Sequence, residues 1–264
     1  LAFGSEGRLE QTLNTDQDNG LIFLAAGEAE ADSLRARFLP FARRVNGLLD
    51  ACGFPLCQGG IMAGNSRWCL SLDEWRYCFA DWMRSASADD LLNATIFFDF
   101  RALAGDAALA DALRGGLLTA AADNPLFLRF MTENALRSGP PLGRIRDFVV
   151  DRQSGRLELK RDGTRLFVDA ARIYALELGL ASTSTVDRLR AAGNLLRWSG
   201  REIDALTDAF EFILQLRLRR QRVPGVPANQ VAPDELNELE RAFLKESLRQ
   251  ARRLQDRLRS RYQL

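Results

Sequence analysis

Two aspartates one residue apart, Asp16 and Asp18, follow a Gly4-Ser5 pair with ten residues between, and the apolar run Leu21-Ile22-Phe23-Leu24 comes at once after them. The pattern predicts a strand over residues 16–24. Alternate side chains of a strand share a face, which sets the two carboxylates about 6.6 Å apart along the backbone. Two carboxylates so arranged can chelate a divalent cation, and a Gly-Ser turn lets backbone N–H groups approach phosphate oxygens. These are parts for phosphoryl-group chemistry. No other segment carries as much.

Composition narrows the rest. The chain has no histidine, which excludes a Ser-His-Asp triad, a histidine base and histidine-ligated zinc within it. Chemistry must rest on carboxylates, arginines and backbone groups. Net charge is +1, so no global field favours nucleic acid or an anionic membrane. Only Lys160 and Lys245 are lysines, and arginine supplies the other basic residues. Cys52, Cys57, Cys69 and Cys78 fit neither a zinc ribbon nor a CxxC pair, and read as reduced thiols of a cytoplasmic protein. No apolar run reaches bilayer-spanning length and no signal peptide precedes the first motif, so no membrane partner is expected. Leu1-Ala2-Phe3 leads straight into the glycine turn, so the chain reads as a piece of a longer polypeptide.

The elements that must position the aspartates alternate at first and then become helical. Residues 28–51 show helical periodicity, with Leu34, Phe38, Phe41, Val45 and Leu48 on one face and a kink or break expected at Pro40. Ser71 with Glu74 reads as a capping box for a helix over 72–83, whose Trp75, Phe79 and Trp82 are core residues. Residues 94–101 are rich in β-formers and predict a second central strand. Asp99 within it needs a partner: an arginine, or a metal shared with Asp16 and Asp18. Further helices are expected over 106–122, 125–137, 166–178, 186–198, 201–222 and 233–262, with breaks at Gly139-Pro140-Pro141 and over 223–227. Residues 148–152 and 156–160 flank Gln153-Ser154-Gly155 as a hairpin. Leu236, Leu239, Phe243, Leu248, Leu254 and Leu258 of the last helix either bury in the bundle or mediate a homodimer. The Arg217, Arg219, Arg220 and Arg222 group reads as a solvated helix end, not a nucleic-acid patch.

Three segments together resemble one family. They are Gly4-Ser5-Glu6-Gly7-Arg8 through Asp16-Gln17-Asp18-Asn19, the loop from Gly53-Phe54-Pro55-Leu56-Cys57 to Gly59-Gly60-Ile61-Met62-Ala63, and Ile96-Phe97-Phe98-Asp99-Phe100-Arg101. They are similar to bacterial nucleotidyltransferases related to glutamine synthetase adenylyltransferase and PII uridylyltransferase, within the DNA polymerase β-like superfamily. Leu159-Lys160-Arg161-Asp162-Gly163, the Val168 to Leu176 run and the helix from Glu211-Phe212 to Arg219-Arg220 resemble that family's helical substrate-binding domain.

The resemblance implies an α+β chain: a small mixed β-sheet, palm-like nucleotidyltransferase domain over residues 1–122, then an all-α helical bundle over 123–264. It implies NTP as co-substrate with Mg²⁺ or Mn²⁺, and cyclic-nucleotide-binding or CBS domains upstream. Asp16, Asp18 and Asp99 would be metal ligands and catalytic residues. Gly4 and Ser5 would hold phosphates, and Arg8 would either clamp a phosphate or pair with Glu6 or Glu10. The Gly59 to Ala63 loop would contact base or ribose, or simply turn the chain. The expected reaction transfers a nucleoside monophosphate to an acceptor hydroxyl on a protein or small molecule and releases pyrophosphate. The competing expectation is a sensor module that binds NTP without turnover. Gln17 departs from the wider superfamily, where an apolar residue usually separates the two acids.

Overall fold

The computed structural model describes residues 1–13, 15–143, 148–223, 225 and 227–264. Asn14 of the first motif, and Pro224 and Val226 of the expected second break, lie outside the described residues. Its contacts divide into two compact units: residues 1–11 with 15–127, and residues 12–14 with 128–264. Both helices and small sheets are present, which makes the chain α+β.

The first unit opens with an extended segment, Leu1 to Phe3, that runs into a single helical turn, α1 (Gly4–Gly7). Ala2 bridges Asn19 on one side and Arg101 on the other. β1 (Leu21–Phe23) pairs in parallel with β2 (Cys69–Ser71), in register Leu21 to Cys69 and Phe23 to Ser71. Between them lies α2 (Glu28–Ala51). The helices α3 (Leu72–Ser85), α4 (Ala88–Phe97) and α5 (Ala107–Ala122) follow. The core is aromatic: Phe3, Trp68, Trp75, Phe79, Trp82, Phe97 and Phe98 are all buried. The expected capping box at Ser71 and Glu74 is formed, and Trp75, Phe79 and Trp82 are core residues as their spacing predicts.

Three expectations for this unit are overturned. The strand expected over 16–24 shrinks to Leu21–Phe23, and Asp16 and Asp18 lie in an extended but irregular lead-in. Backbone partners explain this, because they come from separate places: Gln17 donates to the Pro55 carbonyl, Asn19 to that of Ile61, and Asp18 accepts from Phe3. The second strand, expected over 94–101, is not formed: its first half, 94–97, ends the helix α4. A capping box at Ser87 and Asp90 starts it, and burial of Phe97 overrides the β-propensity of Thr95-Ile96-Phe97. Finally, the buried stripe of α2, which continues past Pro40 as one helix, is Ala31, Ala42 and Asn46. Phe41 and Leu48, expected on the buried face, are exposed.

In the second unit, α7 (Arg165–Glu177) is buried from Leu166 to Leu176, as a central helix must be. Arg172 and Asp169 form a buried ion pair one turn apart on it. Around it lie α8 (Thr185–Leu195), α9 (Gly200–Gln221) and α10 (Glu238–Tyr262), and the boundary with the first unit falls inside α6 (Pro125–Ala135). The expected hairpin over 148–160 is not formed. Asp151 instead caps its own turn through Ser154, and β3 (Leu157–Glu158) pairs antiparallel with β4 (Gln230–Val231). The helix expected over 233–262 starts only at Glu238, because Asn237 caps it in a box with Glu240. Leu248, Leu254 and Leu258 are buried on it, and Leu239 and Phe243 are exposed. No helix among the described residues is long and apolar enough to cross a membrane.

Pro40 removes one helical N–H and crowds the preceding turn, yet its position is exposed. Pro40→Ala is therefore expected to raise unfolding stability by about 1 kcal/mol or more, read as a higher urea midpoint at unchanged m-value.

Candidate functional site

The site is built from the segment that carries the two aspartates, and what holds that segment is amide chemistry. Gln17 and Asn19, the residues that alternate with Asp16 and Asp18, are buried. Both reach Asn46 on α2. Asn46 Nδ2 donates to Gln17 Oε1 at 2.8 Å and to Asn19 Oδ1 at 3.0 Å. Gln17 Nε2 donates to the carbonyls of Asn46 at 2.9 Å and Phe54 at 2.8 Å. The loop after Phe54 is tied in from its other end, since Ala63 N–H donates to Asn19 Oδ1 and Gly64 N–H to Asn46 Oδ1, both at 2.9 Å. A polar residue between the acids is thus fully used, which accounts for glutamine where an apolar residue is usual.

With Gln17 and Asn19 turned inward, alternation turns Asp16 and Asp18 the other way. Asp16 is exposed and Asp18 half-buried. Their carboxylate oxygens and the Cys57 thiol all lie within 4.8 Å of one another. Cys57 is the member that sequence reading missed. Its only signal was its place in the Gly53–Ala63 loop, and nothing in cysteine spacing pointed to it. Burial, with a further push from the Asp18 carboxylate, raises the Cys57 thiol above its ordinary pKa. The donor set fits a divalent cation: carboxylate oxygens suit Mg²⁺ or Mn²⁺, and a sulfur donor shifts preference toward softer Co²⁺ or Zn²⁺.

The glycine turn meets Asp18 directly. A Cβ at Gly4 would stand 3.5 Å from Asp18 Oδ2, and Gly4 has φ +56, a left-handed conformation that favours glycine. Its neighbour Ser5 is half-buried in the first turn of α1, and no side chain caps that turn. The other end of α1 is clamped by the segment after α4. A Cβ at Gly7 would stand 1.9 Å from the Asp99 carbonyl oxygen, and Arg101 Nε donates to the Glu6 carbonyl at 3.0 Å.

Asp99 is wholly buried, and its Oδ2 accepts from Arg8 Nη1 at 2.8 Å. Arg8 Nε donates to Glu10 at 2.8 Å. The pairing with Glu10 was one of the alternatives expected for Arg8. The partner that Asp99 requires is thus an arginine, Arg8, and Asp99 is not among the three clustered ligand atoms. Arg114, unremarked in the sequence, holds the carbonyls on both sides of Asp99, donating to Phe98 and Phe100 while its guanidinium lies over the Phe100 ring. The Gly59 to Ala63 loop supplies backbone rather than side chains: Ile61 accepts from Asn19, and Gly60 accepts from the Trp68 indole.

A glycine turn seated against Asp18 lies beside a buried Arg–Asp bridge. The comparisons place the chain. The model described as "Putative nucleotidyltransferase DUF294" matches residues 1–89, and that described as "Putative nucleotidyltransferase substrate binding domain" matches residues 125–262. The chain belongs to this nucleotidyltransferase family. No curated protein and no solved structure matches it.

Asn46→Ala would leave Gln17 Oε1, Asn19 Oδ1 and the Gly64 N–H short of partners in a buried setting. Its expected cost is about 3 kcal/mol or more, measured by urea unfolding. Gly7→Ala, whose new methyl meets backbone, is expected to lower the melting temperature further still.

Proposed function

We propose that the chain transfers a nucleoside monophosphate from an NTP to an acceptor hydroxyl, with release of pyrophosphate, at the site formed by α1, Asp16 and Asp18. The observation that carries this reading is the seating of Asp18 Oδ2 over Gly4. It brings a cation-binding carboxylate to the turn whose amides would meet phosphate oxygens. Asp16 and Asp18 would hold Mg²⁺ or Mn²⁺, with Cys57 at the same centre. A cation there would neutralise triphosphate charge and favour departure of pyrophosphate. The Gly4 and Ser5 amides and the Ser5 hydroxyl hold phosphate oxygens in this reading. Arg8 Nη2, which has no partner among the described residues, is the guanidinium edge left to a phosphate. Asp99 enters as the anchor that aims Arg8, since its carboxylate is spent on that pair. The acceptor in this reading is a protein or small molecule.

One observation favours a second reading. With Asp99 bound to Arg8, the buried carboxylate most suited to take a proton from an acceptor is engaged. A nucleotide sensor that binds without turnover would use the same site.

The test is incubation with Mg²⁺ or Mn²⁺, each α-labelled NTP and lysate fractions, following label transfer and pyrophosphate. Transfer that falls at least about 100-fold in Asp16→Asn and Asp18→Asn supports the enzyme. Saturable NTP binding with no transfer from any NTP in any fraction supports the sensor. With Co²⁺, wild type is expected to show a near-ultraviolet thiolate-to-metal band that Cys57→Ser lacks.

A further inference from the structure

The helical unit contains a cavity of about 540 Å³ that the catalytic reading does not use. This is within the usual range for small-molecule sites. Tyr174 of α7, Trp198 and Glu202 at the start of α9, and Arg253, Arg257 and Arg261 of α10 are among its lining residues. The three arginines recur every fourth residue, so they form one ridge along the helix, about 6 Å apart in rise.

The walls are fixed rather than floppy. Trp198 N–H donates to the Gly193 carbonyl at 2.8 Å, after Arg197 turns the chain at φ +56. The Tyr174 ring meets Trp198 edge-on at 5.3 Å, and the Arg257 guanidinium lies 4.9 Å from the Trp198 ring centre. Arg257 also donates to Glu202, and Arg261 holds Glu177 through Nε at 2.7 Å. Asp256, the other acid of the lining, is paired with Arg259.

Two groups are left for a ligand. The first is Tyr174: the residue is 2% exposed and lines the cavity, and no hydrogen bond from its hydroxyl is seen among the described residues. Burial pushes that hydroxyl up to about 12, so it stays a donor across the physiological range. The second is Arg253, two-thirds exposed, whose only described ion pair is a 4.0 Å approach to Glu246.

We propose that this cavity binds an anionic small molecule with a planar ring, of the nucleoside monophosphate class. The phosphate would meet Arg253 and Arg257, the ring would pack at Trp198, and the Tyr174 hydroxyl would donate to the ligand. An acidic peptide fits less well, because the ring that carries the hydroxyl belongs to a buried residue and a peptide needs an open groove. This site is separate in its residues from the one proposed for NTP, and the inference does not rest on that reading.

The test is calorimetric titration of the whole chain with AMP and UMP in EDTA, with adenosine and inorganic phosphate as separate probes. Saturable binding of a nucleotide is expected, tighter than either probe alone and weakened about tenfold by Arg253→Glu. Tyr174→Phe, which keeps the ring and the fold, is expected to weaken it severalfold. The Asp16→Asn/Asp18→Asn double variant is expected to bind as wild type does. The proposal is overturned by no saturable binding up to about 5 mM. It is overturned equally by binding that ignores Arg253→Glu and Tyr174→Phe, by phosphate binding as tightly as nucleotide, or by loss of binding in the aspartate variant.

Discussion

The segment that carries Asp16 and Asp18 depends on three buried amide side chains. Asn46, Gln17 and Asn19 bond one another and the ends of the loop from Phe54 to Gly64. Unmade, each of these groups would cost about 1–3 kcal/mol in a buried setting. Because every partner is itself fixed, the network sets the face on which Asp16 and Asp18 emerge. Backbone bonds from Gln17 and Asn19 to the Pro55 and Ile61 carbonyls tie in the loop that carries Cys57 as well, so main chain and amide side chains act together.

The second constraint is steric. Gly7 lets the Asp99 backbone come against α1 closer than any side chain would allow, and Arg101 fastens the same segment to Glu6. Arg114 then holds the carbonyls on either side of Asp99, and Asp99 holds Arg8. A buried ion pair gains little net stability once desolvation is counted. Its value here is orientation, since it leaves the guanidinium with one edge unspent.

Much of the helical architecture was legible, for a local reason. The capping box at Ser71–Glu74 is written within four residues, and the helix begins where it says. The strands were less legible: β1 lies within the expected span but covers only Leu21–Phe23. Thr95-Ile96-Phe97 has β-propensity, but aromatic burial and the Ser87 cap decide the segment. The lead-in to β1 alternates as a strand does while its hydrogen bonds go to distant loops. Within the site, the pairing of the two acids could be read from period two alone. The roles of Asn46, Arg114 and Cys57 could not, because each depends on contacts far apart in sequence. Gln17, which looked like a departure, is explained only by its partner 29 residues away.

The central claim is that this amide network presents Asp16 and Asp18 as a cation site. The most direct measurement is Mn²⁺ binding, read as loss of the free-ion electron paramagnetic resonance signal, in wild type and Asp16→Asn. Saturable binding in wild type that Asp16→Asn weakens at least about tenfold, a difference of about 1.4 kcal/mol, is the predicted result. Equal binding by the two proteins, or none by wild type with NTP present, would contradict the account.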